Sequence, residues 1–567
     1  MLTNKGMSIM WAILLLTSSC DIPSTTERLS GTIEDSAMVV SAHPIATNIG
    51  VDILKSGGTA IDAAVAVQFA LAVVYPRAGN IGGGGFAVMR FSDGKTNTLD
   101  FREKAPTLAY RDMYLDESKN VIPEKSMLGH QAAGVPGSVA GMWELHQTYG
   151  TLDWKELIQP AIDVANSGFK ITQNEADVLN DKQEKFREAN TYSPWVLKES
   201  GWNAGDLVRQ PELTSTLEAI RDLGRDGFYK GSVADKIVAE MKKGEGLISH
   251  EDLANYHPLW KDPVSGYYKG HKVISMAPPS SGGVAVLQLL QGAEMLNIAQ
   301  YPHNSTEATN LMVELEKRVF ADRAKFIGDP DYYDVPVDEL LSAAYNTERF
   351  SSIRVDNMTP SSKIAHGPIL PKESEETTHF SIVDPLGNAV ALTTTLNLNY
   401  GCKVWVEGAG FVLNNEMDDF SAKPGVPNYF GLIGAKANAI APNKRMTSSM
   451  TPTIVEKDGK LKLVLGSPGG STIITSVYQT IQNMIDYDMT MQEAVNAKKI
   501  HHQWLPDQIK YEQDGLDSLT IMKLNKMGHN LKAVKSIGRN DCILVRDDGT
   551  LEGAADHTRG DDYAAGF

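Results

Sequence analysis

The chain has 567 residues, 42% hydrophobic and 22% charged, so it can bury a large core, and length alone predicts two to four domains unless one large body is later cut. Lys and Arg total 53 against 70 Asp and Glu, and the formal net charge of −17 argues against nucleic acid or an anionic membrane as the main partner. Three cysteines in a chain of this size do not make a disulfide scaffold.

In chain order, Lys5 precedes a short apolar run, Met10 to Leu16, and then Thr17-Ser-Ser-Cys20. The run is too short to span a bilayer and reads as an export signal, residues 1–19. The small residues before Cys20 resemble a lipoprotein processing site, although Thr17 stands where leucine is usual, so acylation of Cys20 and ordinary cleavage nearby both stay open. Residues 21–37 read as a polar lead-in. Thr59-Ala-Ile-Asp62 caps a run, Ala63 to Val74, that is apolar on nearly every side and predicts a buried helix ending before Pro76. Gly82–Gly85 then lead into a strand, Phe86–Phe91. Because a strand follows, close backbone packing suits these glycines better than a phosphate cradle. A further strand, Thr96–Phe101, delivers Arg102. From Leu152 to about Ala344 the pattern is mostly helical, interrupted by a strand pair near Val264–Met276.

Residues 355–376 are rich in Pro, Ser, Lys and Glu, without periodicity, and suit a cleavable linker. At Thr377 a β-type alternation begins abruptly. Cutting Glu376–Thr377 would free an α-amine, a group that ordinarily titrates at about pH 8, able to act as general base for the hydroxyl on the same residue. An ordinary strand start after a loop fits this segment too. His379–Asp384 and Ala389–Thr395 both alternate around the turn Pro385-Leu-Gly-Asn388, which predicts a hairpin. That hairpin sets Thr377 opposite Leu396, within a residue or two, flanked by Thr395 and Asn397. Further on, the strand Lys462–Leu465, the loop Gly466-Ser-Pro-Gly-Gly-Ser471 and a helix over Thr472–Asp486 gather backbone N–H groups at a positive point. The loop lacks the Lys-Ser/Thr of a P-loop, so an oxyanion hole from the Gly469 and Gly470 amides suits it better. After the linker the chain turns strand-rich and closes with helices and a final pair of short strands near Cys542–Arg546. Cys402 and Cys542 read as isolated, partly buried thiols. His501 and His502 are adjacent and lack ligands at metal spacing, so they read as structural, with neither metal nor cofactor in the chemistry.

Taken together, Gly82–Phe86, Asp100–Glu103, Pro278–Gly283, Asp322-Arg323 with Gly328–Pro330, Thr377-Thr-His379, Leu413–Phe420, Ser448–Met450, Gly466–Gly470 and His501–Trp504 resemble the bacterial γ-glutamyltranspeptidases, of the N-terminal nucleophile hydrolase superfamily. The resemblance runs from about Val39 to the C-terminus. It implies an α/β, four-layer αββα sandwich built from both halves of a self-cleaved chain: a large subunit, residues 20–376, and a small one, 377–567, held as a heterodimer. It implies a periplasmic enzyme, lipid-anchored if Cys20 is acylated. Its donor would be glutathione or another γ-glutamyl compound, and its acceptor an amino acid, a peptide or water. By resemblance Thr377 is the nucleophile, hydrogen-bonded by Thr395, with Gly469 and Gly470 as the oxyanion hole. Arg102, Ser448 and Ser449 would hold the donor's α-carboxylate, and Asp419, Glu416 and Asn397 its α-ammonium. A sibling glutaryl or cephalosporin acylase and a non-catalytic exported binding lipoprotein are the rival readings.

One stretch departs from the family. Residues 421–431 match a lid loop in which a tyrosine commonly closes on the asparagine corresponding to Asn397, but here Phe430 holds that place, with Tyr429 before it. Neighbouring side chains of an extended loop point to opposite sides, so Tyr429 is no automatic substitute, and the lid loses a latch of about 0.5–1.5 kcal/mol. A looser lid admits water. Phe430→Tyr is therefore expected to shift the partition of products from hydrolysis towards transfer to amines; an unchanged ratio of the two products with a dipeptide acceptor would refute the latch.

Overall fold

The predicted hairpin forms. Thr378–Val383 pairs antiparallel with Ala389–Thr395, from Thr378 opposite Thr394 to Val383 opposite Ala389, in a computed structural model that describes residues 28–364, 377–423, 426, 428, 434–558 and 560–567. This register, continued by one residue, sets Thr377 across from Thr395, one residue from Leu396 and within the expected range. The one-residue offset arises at the turn. Alternation makes Asp384 a strand residue, yet its carboxylate accepts from the Leu386 and Asn388 amides, each at 2.9 Å, so it shapes the loop instead.

The hairpin occupies the middle of a seven-stranded antiparallel sheet in the order Tyr563–Gly566, Met38–Ser41, Thr378–Val383, Ala389–Thr395, Gly84–Arg90, Thr96–Asp100, Leu259–Lys261. A second seven-stranded sheet runs Thr32–Glu34, Leu551–Ala554, Asp541–Val545, Lys460–Gly466, Thr453–Lys457, His271–Ser275, Val264–Tyr268. Alternation divides the hairpin between two cores. Phe380, Ile382, Val390 and Leu392 pack with the fully buried helix Ala60–Val74 and its neighbour Pro44–Lys55. Val383 and Ala391 face the other way, into the cluster of Ile454, Val464 and Ile543 from the second sheet. Behind that sheet lie Gly282–Met295 and Thr472–Asp486. The result is helix, sheet, sheet, helix: the expected four-layer sandwich. Each sheet mixes strands from before and after Thr377, so neither half of the chain holds a complete core.

Several local expectations need correcting. Within the polar lead-in, Thr32–Glu34 is an edge strand against Leu551–Ala554, too short for its alternation to show. The strand after the glycine run starts at Gly84, the next ends at Asp100, and four strands rather than two follow the last helix, Ser518–Met527. Cys402 and Cys542 are unpaired as expected but wholly buried, not partly. The helix over Ala60–Val74 does carry the predicted cap, a reciprocal pair of hydrogen bonds between Thr59 and Asp62.

The glycine run is a packing device, as predicted. A Cβ on Gly83 would lie 2.0 Å from the Thr395 carbonyl oxygen, one on Gly85 would lie 2.3 Å from that of Thr393, and one on Gly82 would lie 2.2 Å from that of Val412. Side chains here would push the partner strand of the hairpin out of place. Gly83→Ala is expected to destabilise the protein by about 1–3 kcal/mol, the usual range for overpacking, read as a lowered thermal midpoint; a midpoint equal to that of the unmodified protein would show that the strand yields freely.

Candidate active site

Thr377 leaves the central sheet at the strand end that opens into a pocket, and is itself 4% exposed. The pocket is lined by Arg102, Thr377, Thr395, Asn397, Asp419, Ser448, Ser449, Met450, Gly470 and Ile473. Eight of these are residues singled out from the sequence, drawn from five separate stretches of chain. Glu416 and Gly469 lie just outside the lining. Tyr429 and Phe430 of the lid stretch, residues 365–376 of the linker, and Cys20 fall outside the described residues.

Each lining residue is held by its own element. Thr395 ends the hairpin, and its hydroxyl accepts from the Asn397 amide at 2.7 Å. Asn397 takes a left-handed φ of 73°, and its side-chain amide donates to the Asn415 carbonyl at 3.0 Å. The chain thereby turns sharply after Thr395 and presents both side chains on one rim. Ser448 is pinned from beneath by the Pro278–Gly283 stretch: the Ser281 amide and hydroxyl donate to its carbonyl at 2.8 and 2.6 Å.

Arg102 is the electrostatic centre. It follows the strand Thr96–Asp100, is 1% exposed, and meets Glu416 at 2.7 Å and Asp419 at 2.5 Å, with Glu103 at 3.4 Å. Glu416 and Asp419 bracket a single 3-10 turn, which brings both carboxylates to the guanidinium. Burial opposes the charge on Arg102, but Glu416, Glu103 and Asp419 outweigh it and raise its pKa. Burial pushes the Glu103 carboxyl up to about 8, with Arg102 opposing. Burial likewise holds Glu416 well above the usual carboxylate range, against the pull of Arg102. Three carboxyls crowd this guanidinium, and burial holds each of them above its ordinary range.

Sequence patterns miss two contributors. Arg323, on the helix Thr306–Phe326, donates to Ser281 at 2.8 Å and to the Ser449 hydroxyl at 3.1 Å. Burial lowers its pKa to about 10, with Asp419 opposing. It orients Ser449 and adds positive charge behind the pocket. The Asp322-Arg323 pair stands out in the sequence, but nothing in a helical stretch tells a buried cation from a solvated one. Glu103 escapes notice for a similar reason, being adjacent to Arg102 along the chain.

On the remaining wall, the strand Lys460–Gly466 leads through Ser467 and Pro468 to Gly469 and Gly470, with φ of 132° and 53°. The helix Thr472–Asp486 starts there, and the Thr472 amide and hydroxyl both cap the Gly469 carbonyl, at 3.0 and 2.8 Å. The helix N-terminus thus aims at the pocket, where it favours developing negative charge. His501 and His502 are buried and hydrogen-bonded, His501 to Thr475 at 2.9 Å and His502 to Asp507 at 3.2 Å, as structural residues would be.

The family model described as gamma-glutamyltranspeptidase matches residues 46–566. The chain is 46% identical to the glutathione hydrolase proenzyme of Escherichia coli (strain K12), over 94% of this chain and 92% of that one. It is 39% identical to the protein of the same name from Bacillus subtilis (strain 168), over 92% and 90%. The acylase ACY 1 proenzyme of Pseudomonas sp. (strain SE83) is 33% identical, over 91% of each chain. Among solved structures, cephalosporin acylase from Bacillus halodurans superposes with a TM-score of 0.81 at 26% identity, covering 98% of this chain and 99% of that one. γ-Glutamyltranspeptidase from Helicobacter pylori gives 0.57 at 43% identity, covering 60% of this chain and 97% of that one. This chain belongs to the γ-glutamyltranspeptidase family.

Proposed function

We propose that the protein is a glutathione hydrolase and γ-glutamyltransferase that matures by cutting its own chain between Glu376 and Thr377, the two products remaining together as a heterodimer. The observation that carries this reading is the convergence of Thr377, Arg102, Asp419, Ser448, Ser449 and Gly470 on one pocket. The chain is exported by residues 1–19 to the periplasm, where acylation of Cys20 would tether it.

The chemistry follows from the parts. The freed Thr377 amine takes the proton of the Thr377 hydroxyl as its oxygen attacks the γ-carbonyl carbon. The Gly469 and Gly470 amides hold the resulting oxyanion. Collapse breaks the C–N bond, the proton passes to the departing amine, and a γ-glutamyl ester remains on Thr377. Water or the amine of an amino acid or peptide then resolves it. Thr395 orients the Thr377 hydroxyl, and Asn397 and Glu416 complete the rim.

Specificity rests on the Arg102–Asp419 pair. The α-carbon of a γ-glutamyl donor carries a carboxylate and an ammonium, so it can enter this pair with each charge meeting its opposite: carboxylate on Arg102, Ser448 and Ser449, ammonium on Asp419. One ion pair is exchanged for two, which offsets the loss of the donor's hydration. A glutaryl group lacks the ammonium and would leave Asp419 without its new partner. That favours γ-glutamyl donors over the substrates of the acylase relatives. A γ-glutamyl anilide should therefore be cleaved far faster than the matching glutaryl anilide, and equal rates would point to the acylase reading.

Two variants test the assignment. Thr377→Ala is expected to leave a single uncut chain without activity on a denaturing gel, since the Thr377 nitrogen is still an amide and the hydroxyl is gone; cutting at the same bond in this variant would overturn the self-processing chemistry. Arg102→Lys keeps the charge but loses the planar two-point fork. Its kcat/KM should fall at least about tenfold, or ~1.4 kcal/mol, mainly through a raised KM, and a KM near that of the unmodified enzyme would remove Arg102 from donor binding.

A further inference from the structure

The stretch His501-His-Gln-Trp504, with Asp507, has no part in the chemistry above, yet it is buried between two sites that matter for maturation. Its side chains divide between two faces. His501 hydrogen-bonds Thr475 at 2.9 Å, and the Ser471 hydroxyl donates to Gln503 at 2.8 Å. Ser471 and Thr475 flank the start of the helix that follows Gly469 and Gly470, so this face is fastened to the oxyanion wall.

The other face grips the first part of the stretch expected to be linker, residues 355–376, which is therefore held down as far as Ile364. The Trp504 indole N–H lies 3.2 Å from the carbonyls of both Ser361 and Ile364. Asp507 accepts from the Ser361 amide at 2.8 Å and lies 3.2 Å from His502. From the large-subunit side, Lys317 donates to the Thr359 carbonyl and Glu314 accepts from the Thr359 amide, at 3.0 and 2.9 Å. Asn310 meets the carbonyls of Arg354, Val355 and Asn357 at 3.1–3.2 Å and is itself held by His529 at 2.7 Å. Lys317, Glu314, Asn310 and Trp504 are all at most 2% exposed. Such a buried polar network, with many of its groups satisfied, is costly to rearrange.

We infer that the His501–Asp507 segment positions the precursor for self-cleavage, by tying residues 361–364 to the wall that stabilises the oxyanion. This rests on the processing reaction proposed above. Held at Ile364, the chain has only residues 365–376 in which to bring the Glu376 carbonyl to the Thr377 hydroxyl and the oxyanion amides. If the hold of Trp504 and Asp507 on Ser361 and Ile364 is lost, the next tether is Thr359, and the span to the cut grows to residues 360–376. Loop-closure entropy alone then makes the productive arrangement about 1.7-fold rarer, before any loss of orientation. The residues act through the linker and touch no reacting atom, so they are positioning residues. The mature enzyme, already cut, does not need them for turnover.

The test compares the full chain with Trp504→Phe, which keeps the ring and loses the N–H donor, and with Trp504→Phe/Asp507→Ala, which also removes the acceptor of the Ser361 amide. Each is translated in vitro with a pulse of label and followed on denaturing gels, and kcat and KM with a γ-glutamyl anilide are measured on the matured fraction. The double variant is expected to cut at the same bond at least about 1.7-fold more slowly, with Trp504→Phe slowed in the same direction and both matured enzymes keeping normal kcat and KM. Cutting at the unmodified rate in both variants would overturn the inference. So would a fall in kcat matching the fall in cutting, since that is what a merely structural support of the pocket would give. If the unmodified chain is not cut before Thr377, the processing reading itself fails; if it is cut and the variants keep pace, only this inference falls.

Discussion

The ladder between Thr378–Val383 and Ala389–Thr395 is the constraint on which the rest of the molecule depends. It must run through the centre of a sheet so that both faces are buried, yet the residue before it must face a pocket. Both demands are met because the strand begins just after Thr377, where the sheet gives way to the pocket. The glycines at 83 and 85 let neighbouring backbone approach the partner strand within the space a methyl group would need. A displacement of the partner strand would carry Thr395 and Asn397 with it, since their geometry is set by the turn that follows.

Around that fixed point the protein concentrates charge that burial would otherwise forbid. Arg102 and Arg323 are buried close to Glu103, Glu416 and Asp419, and no single pair among them is balanced alone. Such a cluster is a weak stabilising device. What it does is bring a cation, Arg102, and an anion, Asp419, together on the lining of the pocket. The helix start behind Gly470 supplies the complementary feature for the reacting end, a positive backbone terminus that needs no side-chain ordering.

Interleaving of the two halves has a consequence for maturation. Strands from both sides of Thr377 share each sheet, so two pieces of a chain cut there would share one core. The network around Thr359 to Ile364 belongs to the same logic: residues far apart in sequence, from Asn310 to His529, converge on the first part of the 355–376 stretch.

Much of this is legible in the chain itself. The hairpin, the capped apolar helix and the strand–glycine–helix unit are local patterns, governed by periodicity, turn residues and capping, and they stand where those patterns place them. The order of short motifs is enough to indicate the family and, with it, Thr377, Arg102, Asp419 and the paired serines. Beyond its reach lie quantities set by neighbours distant along the chain. The register at Thr377 shifts by one because Asp384 commits its carboxylate to the turn, a competition invisible to alternation. Arg323 reads as one charge in a long helix until folding places it beneath Ser449. Glu103 reads as a solvated neighbour of Arg102 until burial raises its pKa to about 8. The pairing of His501–Asp507 with Thr359–Ile364 spans well over a hundred residues, and no local propensity encodes it. Local chemistry determined which elements form; only tertiary packing decided which charges lose their water, and so which residues can act together.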